Sequence, residues 1–176
     1  VVASVQAISE AHLLSVIEEM LAQFPFEILG FHADNGSEYV NHKVARLLDK
    51  LRIEFTRSRP RHSNDNGLAE AKNGAVVRKE FGYEHIHRRH AARFDTYCRE
   101  YLNPFLNFHR PCLFATELAD PKKPGRIKRV YRPRDAMTPL DKLASLPNAA
   151  SFLRPGVTLL ELQQLARALS DVQAAQ

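Results

Sequence analysis

The sequence predicts an α/β fold in which a mixed sheet with flanking helices precedes a mostly helical C-terminal extension. Two short apolar runs, Phe24–Phe31 and Ile53–Thr56, have the composition of strands. Amphipathic patterns that are typical of helices lie before and between these runs. Turn residues, Asn35 and Gly36, follow the first run. Strands that alternate with helices in this way indicate parallel pairing.

The first elements are predicted from β-branched composition and helical spacing. Val1–Ile8 is rich in valine and isoleucine, so we expect a strand. Ser9 is a suitable N-cap for the helix that follows, whose apolar residues recur at helical spacing at Leu13, Leu14, Ile17, Met20 and Leu21. Phe24–Phe26 then ends this helix and begins a strand that reaches its end near Asp34. The result is a strand–helix–strand unit.

A second helix and strand follow. Asn41 is the expected N-cap of a helix whose inner face carries Val44, Leu47, Leu48 and Leu51. The strand Ile53–Thr56 leads into a basic turn made of Arg57, Arg59 and Arg61. Residues 59–67 are rich in turn formers and predict a flexible loop, for which an ordinary connection is the alternative. The next helix carries Glu70 in its first turn, and Gly74 in its interior indicates close approach of another element.

The segment from Glu84 to His109 is rich in histidines and aromatic residues. Phe94, Tyr97 and Tyr101 are spaced three and four residues apart, which predicts a core-facing helical stripe. The histidines allow a zinc site as an alternative, although no cysteine or carboxylate completes a ligand set. Pro104 is expected to kink or end this helix.

The C-terminal part begins with a change in composition. Residues 121–134 contain seven basic residues and no acid, which favours a polyanionic partner. Within this part we expect a polar linker at Asp120–Pro124, a basic edge strand at Arg126–Arg132 and a short helix at Thr138–Leu146. Thr158 and Glu161 form a predicted capping box for a last helix, Leu159–Val172.

Overall composition is that of a protein of 176 residues with a net charge of +5, from 25 basic and 20 acidic residues. Cys98 and Cys112 lack metal-ligand spacing and are expected to be reduced thiols. No stretch approaches the length of a membrane span, and no membrane partner is expected.

Two carboxylates are the candidate catalytic residues. Asp34 follows the predicted end of a strand and Glu70 opens a helix, and 35 residues lie between them. A strand end and the first turn of a helix can hold two carboxylates a few ångströms apart. Two like charges so placed repel, and a divalent cation that prefers oxygen ligands stabilises both in ionised form. Mg²⁺, bound together with substrate phosphate oxygens, fits this requirement.

These residues resemble a known family. The sequences HADNGSEY and SRPRHSNDNGLAE, at this 35-residue spacing, are similar to those of the DDE transposases and retroviral-type integrases, and above all to bacterial insertion-sequence transposases with an integrase catalytic core. The resemblance covers roughly Val1–Pro111, where NFHRP resembles the motif that closes the transposase core. We therefore expect residues 1–111 to form a partial catalytic core and residues 112–176 a basic linker and extension.

The resemblance implies an RNase H-like fold and a set of site residues. Asp34 and Glu70 would be catalytic ligands of Mg²⁺ or Mn²⁺. DNA contacts are expected from the arginine turn and from nearby polar and basic residues, namely Arg57, Arg59, Arg61, His62, Asn64, Lys72, Arg78 and Lys79. For the last three a solvated helix face is an equally open alternative. The implied activity is metal-dependent cleavage at transposon ends and strand transfer into target DNA, by a homo-oligomer in the bacterial cytoplasm, associated with the nucleoid.

The family has a third acidic residue on an earlier strand, and residues 1–33 contain no aspartate. The resemblance implies the strand order 3-2-1-4-5, in which Val1–Ile8 would be strand 3, the run ending at Asp34 strand 4, and Ile53–Thr56 strand 5. We therefore expect the chain to be truncated, lacking its first strands, inactive in strand transfer by itself and poorly soluble. The alternatives are an RNase H-like nuclease and a non-catalytic DNA-binding remnant of a transposase.

Overall fold

The computed structural model describes the chain except for residues 8, 34–41, 60–66, 122 and 124 and the side chains of residues 10, 11, 68 and 69. It divides into two compact units, Val1–Arg99 and Glu100–Gln176. Each unit mixes helices with short strands, which confirms the α/β class. In the described residues the strands form three two-stranded sheets rather than one larger mixed sheet.

The first unit is mainly helical and contains one pair of strands. Its regular elements are, in chain order, α1 (Glu10–Ala22), β1 (Gly30–Ala33), α2 (His42–Lys50), β2 (Glu54–Arg57), α3 (Gly67–Lys72), a π-helical segment (Asn73–Val77), α4 (Arg78–Phe81), a 3₁₀ turn (Arg88–His90) and α5 (Ala91–Tyr97).

Strands β1 and β2 pair in parallel, with Gly30 opposite Glu54 and Ala33 opposite Arg57. Helix α2 lies between them in sequence, as a parallel connection requires. The strand predicted from Phe24 is thus shorter than expected, since its regular pairing begins only at Gly30. The described part of this strand reaches Ala33, and whether it ends near Asp34 stays a prediction, because residues 34–41 lie outside the described residues.

The strand predicted at Val1–Ile8 is wrong, because the described residues of this segment form no strand. Its backbone is bonded to α5 instead. The Ser4 amide donates to Asp95 Oδ1 at 2.6 Å, and the Ser4 hydroxyl donates to the Ala91 carbonyl at 2.8 Å. A helix therefore satisfies the Ser4 amide, which a neighbouring strand would otherwise have bonded. The assignment of this segment as strand 3 is wrong for the same reason.

One apolar core holds α1, α2 and the strand pair together. Its buried residues are Leu13, Ile17, Leu21, Val44, Leu48 and Ile53. Phe31 and Phe55 are opposite each other in the sheet and pack against this core, with ring centroids 6.1 Å apart. Leu51 was predicted to lie on the inner face of α2, but it is 47% exposed. The reason is that α2 ends at Lys50 and the chain turns there.

The helix that carries Glu70 runs from Gly67 to Phe81, as α3, the π-helical segment and α4. The prediction that Gly74 marks close approach is wrong, because among the described residues no atom of another element lies within 4 Å of the position that a Cβ would occupy there. The glycine belongs instead to the π-helical segment. A π-helical turn widens the helix by one residue and shifts the side chains that follow.

The aromatic stripe predicted for the next helix is also wrong. Tyr97 and Tyr101 are 38% and 64% exposed. Tyr97 instead donates a hydrogen bond to Glu80, which, as the largest cause, raises the pKa of the phenol to about 12. The buried residue on this part of the helix is Cys98, 1% exposed, and burial raises the pKa of its thiol to about 11. The half-buried Phe94 packs against Phe81, with ring centroids 4.8 Å apart, and the Tyr97 ring also contacts Phe81, with centroids 6.0 Å apart.

The second unit consists of short helices and two antiparallel strand pairs. A π-helical segment (Cys98–Leu102) crosses the division between the units. The later elements are a second π-helical segment (Phe105–His109), β3 (Cys112–Leu113), β4 (Thr116–Ala119), β5 (Ile127–Val130), a 3₁₀ turn (Pro133–Asp135), β6 (Ala136–Met137), α6 (Pro139–Ala144), a 3₁₀ turn (Ala149–Phe152), α7 (Leu159–Arg167) and α8 (Asp171–Ala175). β3 pairs with β6, and β4 pairs with β5.

The division between the units lies between Arg99 and Glu100, rather than between residues 111 and 112 as expected. The reason is that Phe105–His109 packs within the second unit. Phe108 contacts the core of Leu140, Leu153 and Leu162. His109 is buried, and its Nδ1 lies 2.9 Å from Asp171 Oδ1 at the start of α8. Pro104 does not end the helix, which continues as the second π-helical segment.

Capping side chains fix the helices of the second unit. The capping box predicted from Thr158 and Glu161 is confirmed, and it lowers the pKa of the Glu161 carboxyl through hydrogen bonds to Thr158. The single last helix predicted for Leu159–Val172 is wrong, because a second capping box, Ser170 with Gln173, starts a separate helix. The predicted short helix after Thr138 is confirmed as α6. In the described part of the chain, no helix has the length and apolar character needed to cross a membrane.

The core of the first unit yields a stability prediction. Leu48 is fully buried and Leu51, three residues later, is half exposed. Replacing Leu48 with alanine should lower the free energy of unfolding by about 2–5 kcal/mol, since it leaves a cavity. Leu51→Ala should cost less than about 1 kcal/mol. Urea unfolding followed by circular dichroism measures both, and equal losses would mean that α2 packs through a different face.

Candidate functional site

The candidate site lies at the carboxyl edge of the β1–β2 pair. Because the two strands are parallel, their carboxyl ends lie at the same edge of the sheet. Ala33 is opposite Arg57, and the Ser58 amide donates to the Ala33 carbonyl at 3.0 Å, so pairing extends one residue beyond β2. Asp34 follows Ala33 directly in the sequence. Ligands of open α/β sheets gather at edges of this kind.

A histidine that the sequence analysis did not single out joins the two strands at this edge. His32 Nδ1 lies 2.9 Å from Thr56 Oγ1, and His32 Nε2 lies 3.2 Å from Ser58 Oγ. His32 and Thr56 are register partners, so their side chains project from the same face of the sheet. Ser58 is 3% exposed, and its hydroxyl also contacts the Ala33 carbonyl at 3.5 Å. Sequence could have suggested His32 only if the strand register had been known.

The arginine turn begins at the same edge. Arg57 and Arg59 are exposed, and Ser58 between them is buried. In an extended chain successive side chains point to opposite faces, so Arg57 and Arg59 lie on the face opposite to Thr56 and Ser58, which is the face that carries Phe55. The other predicted contacts in this loop, Arg61, His62 and Asn64, lie outside the described residues.

Glu70 is in the first turn of α3 and is exposed. No hydrogen bond or ion pair joins its carboxylate to the residues that the structure describes. Lys72, Arg78 and Lys79 are also exposed on the helical run from Gly67 to Phe81. The Arg78 guanidinium lies over the Tyr83 ring, 5.4 Å from its centroid.

A divalent-cation site would need both carboxylates. An exposed carboxylate suits a cation that prefers oxygen ligands, so Glu70 fits this role. Asp34 lies outside the described residues, and its distance from Glu70 stays a prediction, at about 4–8 Å if the two share a pair of ions. Among the residues outside those gaps, no three histidine, cysteine, aspartate or glutamate side chains are grouped as a metal site would require.

Comparison with known proteins gives one similarity. The chain is 35% identical over 71 residues to a protein of Sinorhizobium fredii (strain NBRC 101917 / NGR234) described as "Uncharacterized protein y4rM". The matched stretch is 40% of this chain and 20% of that relative, so the chain spans about one fifth of the relative's length. No protein-family model matches the chain.

The hydroxyl of Ser58 is predicted to stabilise the edge of the strand pair. Ser58→Ala removes the partner of His32 Nε2, and we expect a loss of about 0.5–1.5 kcal/mol in the free energy of unfolding. Ser15 is a suitable control because it is exposed in α1 and its hydroxyl bonds only to the His12 carbonyl. Ser15→Ala should be neutral or slightly stabilising. Thermal unfolding of the two variants tests this, and a neutral Ser58→Ala would show that the network adds no stability.

Proposed function

We propose that this chain is part of a DDE-type transposase, and that the intact enzyme cleaves and joins DNA phosphodiester bonds. The observation that carries the proposal is the order of features around the β1–β2 pair. A strand ends directly before Asp34, its parallel neighbour ends in Arg57, and the next described helix has Glu70 in its first turn. This is the order that the resemblance of HADNGSEY and NDNGLAE to the family leads one to expect.

The RNase H-like fold is part of the same proposal. In that fold, by resemblance, strands 4 and 5 are neighbours and run parallel, with the second catalytic acid after strand 4. The parallel pairing of Gly30–Ala33 with Glu54–Arg57 supports this assignment.

Asp34 and Glu70 would hold Mg²⁺ or Mn²⁺ in this enzyme. When bound, such ions activate a water or a 3′-hydroxyl and stabilise the charge on the leaving oxygen. The carboxylates supply the oxygen ligands and balance the positive charge. His32, Thr56 and Ser58 hold the two strand ends in register, and so limit the movement of the chain that enters Asp34.

Arg57 and Arg59 would bind the phosphates of the DNA backbone. Their exposure at the carboxyl edge gives them access to a polyanion, and guanidinium groups pair well with phosphate oxygens. Contacts of this kind position the DNA without reading its sequence. The proposal extends to a homo-oligomer that acts on transposon ends and target DNA in the bacterial cytoplasm.

The metal assignment predicts the effect of replacing each carboxylate with the corresponding uncharged amide. Asp34→Asn and Glu70→Gln should each weaken Mn²⁺ binding at least about tenfold, because each removes a charged ligand. Asp49→Asn, an exposed carboxylate in α2, is the matched control and should leave binding unchanged. Titration followed by electron paramagnetic resonance of Mn²⁺ measures all three. Equal affinities for the three variants would remove the assignment.

A strand-transfer assay on labelled end DNA separates transposase from nuclease. For the intact enzyme, we expect joined products that depend on Mg²⁺ and disappear in Glu70→Gln. Hydrolysis without joining would favour the nuclease instead.

The arginine turn predicts a change in salt dependence. Replacing Arg57, Arg59 and Arg61 with alanine should weaken DNA binding about equally for all sequences, and should flatten the plot of log affinity against log salt by up to about three units of slope. A variant with Arg46, Lys50 and Arg167 replaced loses the same charge from other exposed positions and is the control. If both variants had the same slope, the turn would be only a solvated cluster.

A further inference from the structure

The β4–β5 hairpin of the second unit has almost no core of its own. Of its paired residues only Thr116 and Val130, opposite each other at the base, are half-buried, and the rest are exposed. In the part of the chain that the structure describes, no third strand joins this pair. Exposed two-stranded hairpins are marginally stable by themselves. Beyond its half-buried base, the described part of this ribbon therefore presents exposed side chains on both faces.

The ribbon is basic, and its acids leave several cations unbalanced. Glu117 pairs with Arg129 at 3.1 Å, and Asp135 lies 3.9 Å from Arg134. Asp120, at the start of the connecting turn, is the remaining acid of this region. The cations that form no ion pair with described residues are Lys123, Arg126, Lys128 and Arg132.

The spacing of these cations follows the strand. The Asp120 amide donates to the Arg126 carbonyl at 2.8 Å, so the ladder extends to Arg126. Residues two apart on a strand point to the same side, about 6.6 Å apart, which sets Arg126 and Lys128 in one row. The row therefore presents two cations on one side of the strand, which suits the charged backbone of a nucleic acid.

Exposed apolar side chains accompany the charges. Ile127 is 62% exposed and Leu118, the register partner of Lys128, is 36% exposed. Apolar contacts of this kind suit the methyl group of thymine in the major groove.

We propose that the β4–β5 ribbon enters the major groove of duplex DNA, with Arg126, Lys128 and Arg132 on backbone phosphates. The major groove admits a two-stranded β-ribbon, and the ribbon presents both the charge and the free faces that this requires. The inference does not depend on the metal site, because it stands on residues of the second unit alone.

A charge-matched pair of variants tests the proposal in the full chain. Replacing Arg126, Lys128 and Arg132 with alanine should weaken binding to a 30-base-pair duplex about tenfold or more near 0.1 M salt, and flatten the salt slope by about two to three units. The control variant has Arg46, Lys50 and Arg167 replaced with alanine. It should change the affinity for the duplex and the salt slope less. Fluorescence anisotropy over a salt series measures them. Equal effects in the two variants would overturn the proposal.

A change of opposite sign gives a second test. Glu117→Gln releases Arg129 from its ion pair and should tighten DNA binding a few-fold. Glu18→Gln, which removes an exposed carboxylate of α1, should not. Weaker binding by Glu117→Gln would contradict the proposed role of the ribbon.

Groove placement is tested by methylation protection. Guanine N7 lies in the major groove, so the chain should protect it from dimethyl sulfate, and the ribbon variant should lose this protection. Binding without protection, or binding to anionic lipid vesicles but not to DNA, would overturn the inference. Loss of Mn²⁺ affinity in Asp34→Asn is independent of these results, so the ribbon and the metal site can fail separately.

Discussion

The parallel pairing of Gly30–Ala33 with Glu54–Arg57 is the constraint on which the first unit depends. In the described residues four positions on each strand are paired, and the amides of Glu54 and Ser58 add one hydrogen bond at each end, so the pair has few backbone hydrogen bonds. Its stability comes from one face, where Phe31 and Phe55 pack on the core of α1 and α2. The opposite face is left to polar side chains. Polar and charged residues can therefore lie at the carboxyl edge without disturbing the apolar core.

The two units reach stability by different means. The first has a continuous core in which Val44 and Leu48 are fully buried. The second has a smaller core of three buried leucines, and it relies on side chains that cap the starts of its helices. Thr138, Thr158 and Ser170 each accept a hydrogen bond from a backbone amide at a helix start. Capping hydrogen bonds of this kind stabilise a helix even where little apolar area is buried.

This difference explains what could be predicted from the sequence. The capping box at Thr158 and the helix after Thr138 depend on neighbours in the chain, and both were predicted correctly. The stripe of Tyr97 and Tyr101 failed because a π-helical segment, Cys98–Leu102, begins within it and shifts the side chains. The strand at Val1–Ile8 failed because its partner is a helix some 90 residues away, which no local pattern reveals. The charges of the arginine turn could be seen in the sequence, but the link from His32 to Ser58 depends on strand register.

That link also fixes the direction of a chain of hydrogen bonds. The Ser58 hydroxyl donates to the Ala33 carbonyl, so it must accept from His32 Nε2. In the neutral ring Nε2 then carries the hydrogen, and Nδ1 accepts from the Thr56 hydroxyl. The imidazole therefore bridges the end of β1 to Thr56 in β2 and to Ser58 after it, with one ring nitrogen for each hydroxyl. The two strand ends are thus tied by side chains as well as by the backbone ladder.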